Sequence, residues 1–157
     1  MTTATKTPIK ATWTVSKVQE KAATLAASQC LAAFQVLSKY GEEAIKEYQA
    51  AARGFRVAHL KSLGVKTPLE LATAMAETEA NVFGSQIEVS GDDQSATLTY
   101  NSCAMWNAMQ KVGNLTPEQQ EKMGSGFQSC MQDLAKEFGY KANVEMEGQT
   151  CAVKLSK

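Results

Sequence analysis

The stretch QIEVSGDDQSATLTYNSCAMW, residues 86–106, decides the fold of this chain. Apolar and polar side chains alternate on both sides of Gly91-Asp92-Asp93-Gln94, a pattern typical of two strands joined by a turn. Apolar residues at helical spacing begin at Trp106. The sequence therefore predicts a β-hairpin that passes directly into a helix, with Cys103 at the junction.

Cys103 is the first candidate for a functional residue because of this position. The start of a helix carries unpaired N–H groups and a partial positive charge, which favour a thiolate and lower the pKa of a thiol. We therefore expect Cys103 to act as a nucleophile or to contact a ligand. The alternative is a structural role, since free cysteine is among the residue types most often buried.

Composition excludes several classes of protein. A length of 157 residues predicts one domain at 13–157, after a flexible arm at 1–12. The formal net charge of zero argues against binding to nucleic acid, which needs a basic surface. We expect no membrane partner, because the alanine-rich stretch from Ala22 to Phe34 contains Ser28 and Gln29 and no segment is apolar enough to span a bilayer. Four cysteines without a C-x-x-C pair indicate free thiols and a cytoplasmic protein.

The remaining elements follow from apolar spacing and from capping signals. Helices are predicted from Val15 to Lys39, from Glu42 to about Leu63, from Thr67-Pro68 to Gly84, from Cys103 to Gly113, and from Thr116-Pro117 to about Phe138. A second hairpin, with strands over 142–146 and 151–155, turns at Gly148. This order predicts an α+β fold, with an antiparallel sheet built from two hairpins and about five helices packed on it, including a long N-terminal helix.

Further site candidates lie on the predicted apolar faces. His59 falls on the stripe of helix two that we expect to be buried, and this stripe consists of Ile45, Tyr48, Ala52, Phe55, His59 and Leu63. Cys130 and Cys151 also lie on apolar faces, and Asp133 follows Cys130 by three residues. Tyr100 and Trp106 would wall a pocket at the junction. Zinc bound by the cysteines Cys103, Cys130 and Cys151 with His59 is chemically reasonable, but the spacings do not support it.

Taken in order, these features resemble a known family. They are Tyr40-Gly41-Glu42-Glu43-Ala44-Ile45, Leu63-Gly64, Cys103 after a hairpin, Cys130-x-x-Asp133, and Gly148-Gln149-Thr150-Cys151-Ala152-Val153. Between about Tyr40 and Leu155 the chain resembles the L-2-amino-thiazoline-4-carboxylic acid hydrolase-like family, which is related to vinyl-reductase-type domains that bind small molecules.

The resemblance implies hydrolysis of a C–N bond in a cyclic amidine of the thiazoline type, without a cofactor. Cys103 would be the nucleophile or would shape the pocket, His59 would relay protons, and Asp133 would hold the substrate ammonium or amidinium. Cys130, Cys151, Trp106 and Tyr100 would line the ligand site.

Two other interpretations belong to different classes. In the first, the same pocket serves a non-catalytic sensor or carrier that binds a small molecule or a metal. In the second, the chain is an assembly partner that forms a homodimer through its N-terminal helix, because the small side chains of Ala23, Ala27 and neighbouring alanines would let two helices approach closely.

Overall fold

A computed structural model of the chain describes residues 9–148 and 150–157. Within these ranges five α-helices and four β-strands form, which confirms the predicted α+β class. Their bounds are α1 Val15–Leu37, α2 Glu42–Ser62, α3 Pro68–Thr78, β1 Gln86–Gly91, β2 Ser95–Ser102, α4 Ala104–Gly113, α5 Pro117–Lys136, β3 Lys141–Glu147 and β4 Thr150–Ser156. Of the predicted N-terminal arm, residues 1–8 lie outside the described residues, and residues 9–12 belong to no helix or strand.

The four strands form one antiparallel sheet in the order β1-β2-β4-β3. Each hairpin pairs locally, and β4 returns to pair with β2 at the centre. One face of the sheet is apolar, with the cross-strand row Val89, Leu98, Val153 and Val144. Helices α3 and α5 pack on this face and share a hydrophobic core with it. The other face carries polar side chains such as Thr97, Glu145 and Lys154.

The first hairpin depends on a glycine at its turn. Gly91 has φ = +138°, a conformation that side chains rarely adopt, and a Cβ atom there would overlap the carbonyl oxygen of Ser95. The Asp92 carboxylate then accepts hydrogen bonds from the backbone N–H groups of Gln94 at 2.8 Å and Ser95 at 2.9 Å. Only glycine fits at the start of this turn.

The predicted helix starts are confirmed. Thr67 and Thr116 each cap a helix, and Glu70 and Gln119 complete the two capping boxes by accepting from the backbone N–H of the cap residue. Cys103 caps α4 through its sulfur. Among the described residues, no helix is both long enough and apolar enough to cross a membrane.

Helix α1 packs on α4 rather than on the sheet. Ala23 and Ala27 meet Ala108 in a second, smaller core, against which Phe83 and Met109 also pack. The small side chains let the two helices approach closely, as the sequence predicts for an alanine-rich face. This face, however, is used inside the chain, so a dimer through α1 would need the opposite side of the helix.

The predicted orientation of α2 is wrong. The stripe that we expected to be buried is largely exposed, with Phe55 at 81% and Leu63 at 55%, and His59 is exposed as well. Instead Val57 and Leu60 enter the core. Helix α2 carries apolar residues on two sides, so its apolar spacing does not determine which side is buried. The side that faces the core is also the side on which the Arg53 guanidinium forms an ion pair with Asp133 of α5.

Candidate functional site

Three segments meet at one end of the apolar sheet face: the end of β2, the start of α4 and the turn that follows α3. The last inward-facing cross-strand row at this end consists of Ile87, Tyr100, Cys151 and Met146. Tyr100 is only 4% exposed, and the ring of Phe127 on α5 stands edge-on to it at 6.3 Å. The hairpin thus brings Tyr100, Cys103 and Cys151 to one end of the core.

The turn after α3 is π-helical and spans Glu79–Phe83. Such turns are rare and often occur at functional sites. Gly84 ends it with φ = +78°, and the next residue, Ser85, is buried. The hydroxyl oxygen of Ser85 accepts a hydrogen bond from the backbone N–H of Ala104 at 3.0 Å. This bond fixes the start of α4 against the end of the π-helical turn.

Cys103 is half-buried, and its sulfur accepts a hydrogen bond from the backbone N–H of Trp106 at 3.5 Å. Burial raises the pKa of its thiol above the ordinary value of 9.0, and the nearby charge of Glu79 raises it further. The hydrogen bonds from the N–H groups of Trp106 and Met105 lower the pKa but do not offset the burial. The pKa of the Cys103 thiol is therefore raised rather than lowered, because desolvation outweighs the helix terminus, and the role of Cys103 as a nucleophile stays a prediction.

Glu79 is the most unusual group at this site. Its Oε2 atom is sealed from solvent and has no hydrogen-bond partner within the part of the chain that the structure describes. Burial raises the pKa of the carboxyl group above 4.5, while the Arg56 guanidinium and the Ser85 hydroxyl lower it. A buried acceptor without a donor is costly, and most such groups in proteins are paired.

These residues form what we call the Glu79 cluster, which consists of Arg56, Glu79, Ser85, Tyr100, Cys103 and Cys151. Its members influence one another electrostatically. Burial and the charge of Glu79 raise the pKa of the Tyr100 phenol, and Cys103 and Cys151 add to the effect. Burial and the neighbouring Cys103 likewise raise the pKa of the Cys151 thiol. At neutral pH the thiols of Cys103 and Cys151 and the phenol of Tyr100 are therefore protonated, and they lie beside the carboxyl group of Glu79.

The other predicted site residues lie differently. His59 is exposed on α2. Asp133 is paired with Arg53 at 3.3 Å and with Lys136 at 3.5 Å, so two cations already occupy it. Cys130 packs against the main core from α5. Trp106 is half-buried, and its backbone N–H donates the hydrogen bond to the Cys103 sulfur.

The zinc site considered from the sequence finds no support among the described residues. No group of three or more His, Cys, Asp or Glu side chains that would hold a metal ion occurs within residues 9–148 and 150–157. His59 cannot complete a site with the cysteines because it points to solvent.

A cleft of about 290 Å³ lies between α5 and β3, close to the Glu79 cluster. Its lining includes Gly124, Gln128, Val144 and Met146. Met146 is paired across the strands with Cys151, so the cleft ends about one strand spacing, roughly 5 Å, from the cluster. Met146 is 57% exposed and belongs to a flexible residue type.

Glu79, Arg56 and Ser85 did not emerge as candidates from the sequence. A signal for Glu79 exists, because it follows Ala72, Met75 and Ala76 at helical spacing, and these three are among the residues that α3 buries. A carboxylate on a buried stripe indicates a paired or functional group. An apolar stripe continued from Leu71 and Met75 would instead pass through Thr78 and Val82, which are both exposed.

Comparison with known proteins identifies no relative: no protein-family model and no curated protein matches this chain.

Proposed function

We propose that the Glu79 cluster binds a small molecule through a cationic N–H group, such as the amidinium of a cyclic amidine. The observation that carries this proposal is the buried Oε2 atom of Glu79, which makes no hydrogen bond among the described residues, although the Ser85 hydroxyl and the Arg56 guanidinium lie near the carboxyl group. An amidinium N–H would supply that donor and the opposite charge. The resemblance to the thiazoline-hydrolase-like family and to vinyl-reductase-type binding domains supports the same ligand class.

The surroundings of Glu79 suit a flat, partly apolar ligand. Tyr100 and Phe127 provide aromatic surface, and the protonated thiols of Cys103 and Cys151 are small and polarisable. The cleft beside Met146 supplies a route of entry once that side chain moves. Because all four cysteines are free, we propose that the site works with reduced thiols, as in the cytoplasm.

Hydrolysis of the bound amidine is a second candidate, favoured by the raised pKa of Glu79. A carboxylate whose pKa lies closer to neutral is a better general base. Glu79 would take a proton from water as the water oxygen bonds to the amidine carbon. It would return that proton to the ring nitrogen as the C–N bond breaks, and the remaining hydroxyl proton of the tetrahedral intermediate would pass to the released amine, which leaves a carbonyl group and an ammonium group. Cys103, with its raised pKa, would shape the pocket rather than attack.

The test is titration of the protein with 2-amino-thiazoline-4-carboxylate by calorimetry, followed by mass spectrometry of the mixture. We expect Glu79→Gln to weaken binding by at least about tenfold, because a neutral amide loses the charge-assisted hydrogen bonds. The matched control is Glu77→Gln, which changes an exposed glutamate two residues earlier, at the end of α3, and should bind as the native protein does.

Equal affinity of the Glu79→Gln and native proteins would contradict the proposed site, and so would the absence of binding by the native protein. A ring-opened product formed by the native protein, but not by Glu79→Gln, would support hydrolysis. In that case Cys103→Ser should retain turnover. Loss of turnover in both Cys103→Ser and Cys103→Ala would instead restore Cys103 as the nucleophile.

A further inference from the structure

The sheet has two edges, and only one of them is interrupted. Strand β1 forms the first edge, and its pairing with β2 shifts register between Gln86 and Ile87. An irregularity of this kind hinders the addition of a further strand. Strand β3 forms the second edge and pairs with β4 in continuous register over all seven residues, Lys141–Glu147. Among the described residues no strand pairs with the other side of β3, so this edge is open to a further strand.

The sequence of β3 is complementary to itself in charge. Val144 is its central residue, and an antiparallel second copy of β3 centred there pairs the whole strand. This register sets Lys141 opposite Glu147 of the second copy, and two-fold symmetry repeats the contact. Neither side chain forms an ion pair within residues 9–148 and 150–157. A parallel second copy in the same position would instead set like charges opposite each other.

The apolar side of this edge is also incompletely covered. Met146 is 57% exposed, and Ala142 and Val144 are half-buried. A cleft of about 290 Å³ opens beside them, between β3 and α5. In the antiparallel register Ala142 of the second copy lies opposite Met146, and the apolar row of the sheet continues from Val144 into the second sheet. A second copy would therefore bury apolar surface that a single chain exposes.

Neither face of the sheet obstructs this arrangement. Helices α3 and α5 pack on one face, with α5 over β3 itself. A helix with its side chains is about 10 Å wide, which is about the width of two strands, so four helices match eight strands. On the other face Asn143 would lie opposite Glu145 of the second copy. The charge of Glu145 is already balanced by Lys154, at 2.8 Å.

We propose that β3 is the contact surface of a homodimer, in which two β3 strands pair antiparallel about a two-fold axis. The two sheets join into one sheet of eight strands. Backbone hydrogen bonds between the two edges stabilise the dimer, and the two contacts between Lys141 and Glu147 fix its direction. The dimer does not depend on the ligand proposed for the Glu79 cluster. It differs from the dimer predicted through the N-terminal helix, which is the competing outcome of the test.

Sedimentation equilibrium over a wide range of protein concentrations measures the association. We expect the native chain to dimerise, and we expect Lys141→Glu and Glu147→Lys each to weaken dimerisation at least about fivefold, because each creates two like-charge contacts. The double variant should restore the dimer, because it exchanges the two charges. The two positions lie at opposite ends of one strand, about 20 Å apart. Restoration therefore cannot come from a contact within one chain.

The control Glu88→Lys makes the same charge change on the β1 edge and should leave the dimer intact. Lys141, Glu147 and Glu88 are all exposed in the single chain, so the variants should fold, which circular dichroism checks. A native protein that stays monomeric at every concentration would overturn the proposal, and so would a double variant as weak as the single ones. Dissociation by Leu25→Glu, on the exposed side of α1, without an effect of Glu147→Lys would overturn it in favour of α1.

Discussion

Glu79 combines two properties that rarely occur together in a residue with a purely structural role. Its carboxyl group is largely removed from water, yet one oxygen has no hydrogen-bond partner among the described residues. Such a group in a native protein needs an explanation, and a bound ligand, an ion, a water molecule or a proton on the carboxyl group would each supply one. At the scale of single residues, Glu79 is therefore the position whose substitution tells most about the site.

The raised pKa of Glu79 makes the stability of the protein depend on pH. Because the folded state holds the proton more tightly than the unfolded chain, the free energy of unfolding falls as pH rises from about 4.5 through the raised pKa. Glutamine does not titrate, so Glu79→Gln removes this loss. We expect the stability of Glu79→Gln relative to the native protein to be greater at pH 7 than at pH 4, as measured by urea unfolding.

The control for this measurement is again Glu77→Gln. Its stability relative to the native protein should be the same at both pH values, because Glu77 is exposed. If the relative stability of Glu79→Gln also stays constant, the carboxyl group is not desolvated as described.

At the scale of elements, α1 and α4 show how small side chains determine a helix contact. Ala27 is completely buried between the two helices. The core there consists of Ala23, Ala27 and Ala108, and Phe83, Ala104 and Met109 pack against it. Such a contact has no space for a larger residue. Its stability comes from close approach of the backbones rather than from large buried side chains.

We expect Ala27→Leu to lower the free energy of unfolding by about 1–3 kcal/mol, because the added atoms force α1 away from α4. Chemical denaturation measures the change. Ala32→Leu is the matched control, since Ala32 lies on the exposed side of the same helix, and it should change stability by less than about 0.5 kcal/mol. Equal effects of the two substitutions would argue against the α1–α4 contact.

The whole molecule has two cores of unequal size. The main core joins the sheet to α3 and α5 and receives Val57 and Leu60 from α2. The smaller core joins α1 to α4 through Ala23, Ala27 and Ala108. Regions with few buried apolar contacts open at a lower free energy than the central strands. The chain should therefore unfold locally from its N-terminal helix.

Hydrogen exchange followed by mass spectrometry tests this order. We expect amide protons of α1 to exchange faster than those of β2 and β4, which form the centre of the sheet. The strands at the centre are held by pairing on both sides and by the main core. Equal protection of α1 and of the central strands would indicate that both cores open as a single unit.

The sequence by itself determined the elements of this protein and part of its site. The hairpins, the capped starts at Thr67 and Thr116 and the place of Cys103 at the start of α4 depend on residues within a few positions of one another. Alternation, turn chemistry and capping hydrogen bonds are local, so the sequence suffices for them. The first hairpin also places Tyr100 three residues before Cys103, at the same end of β2.

Only the tertiary structure decided which faces of the helices are buried and which distant groups meet. Helix α2 carries apolar residues on two sides, and its choice of Val57 and Leu60 over Phe55 depends on α5 and the sheet. The pairing of β2 with β4, the position of Glu79 beside Cys103 and the raised pKa of that thiol arise in the same way. Burial and desolvation depend on residues far apart in the chain, and no local pattern records them.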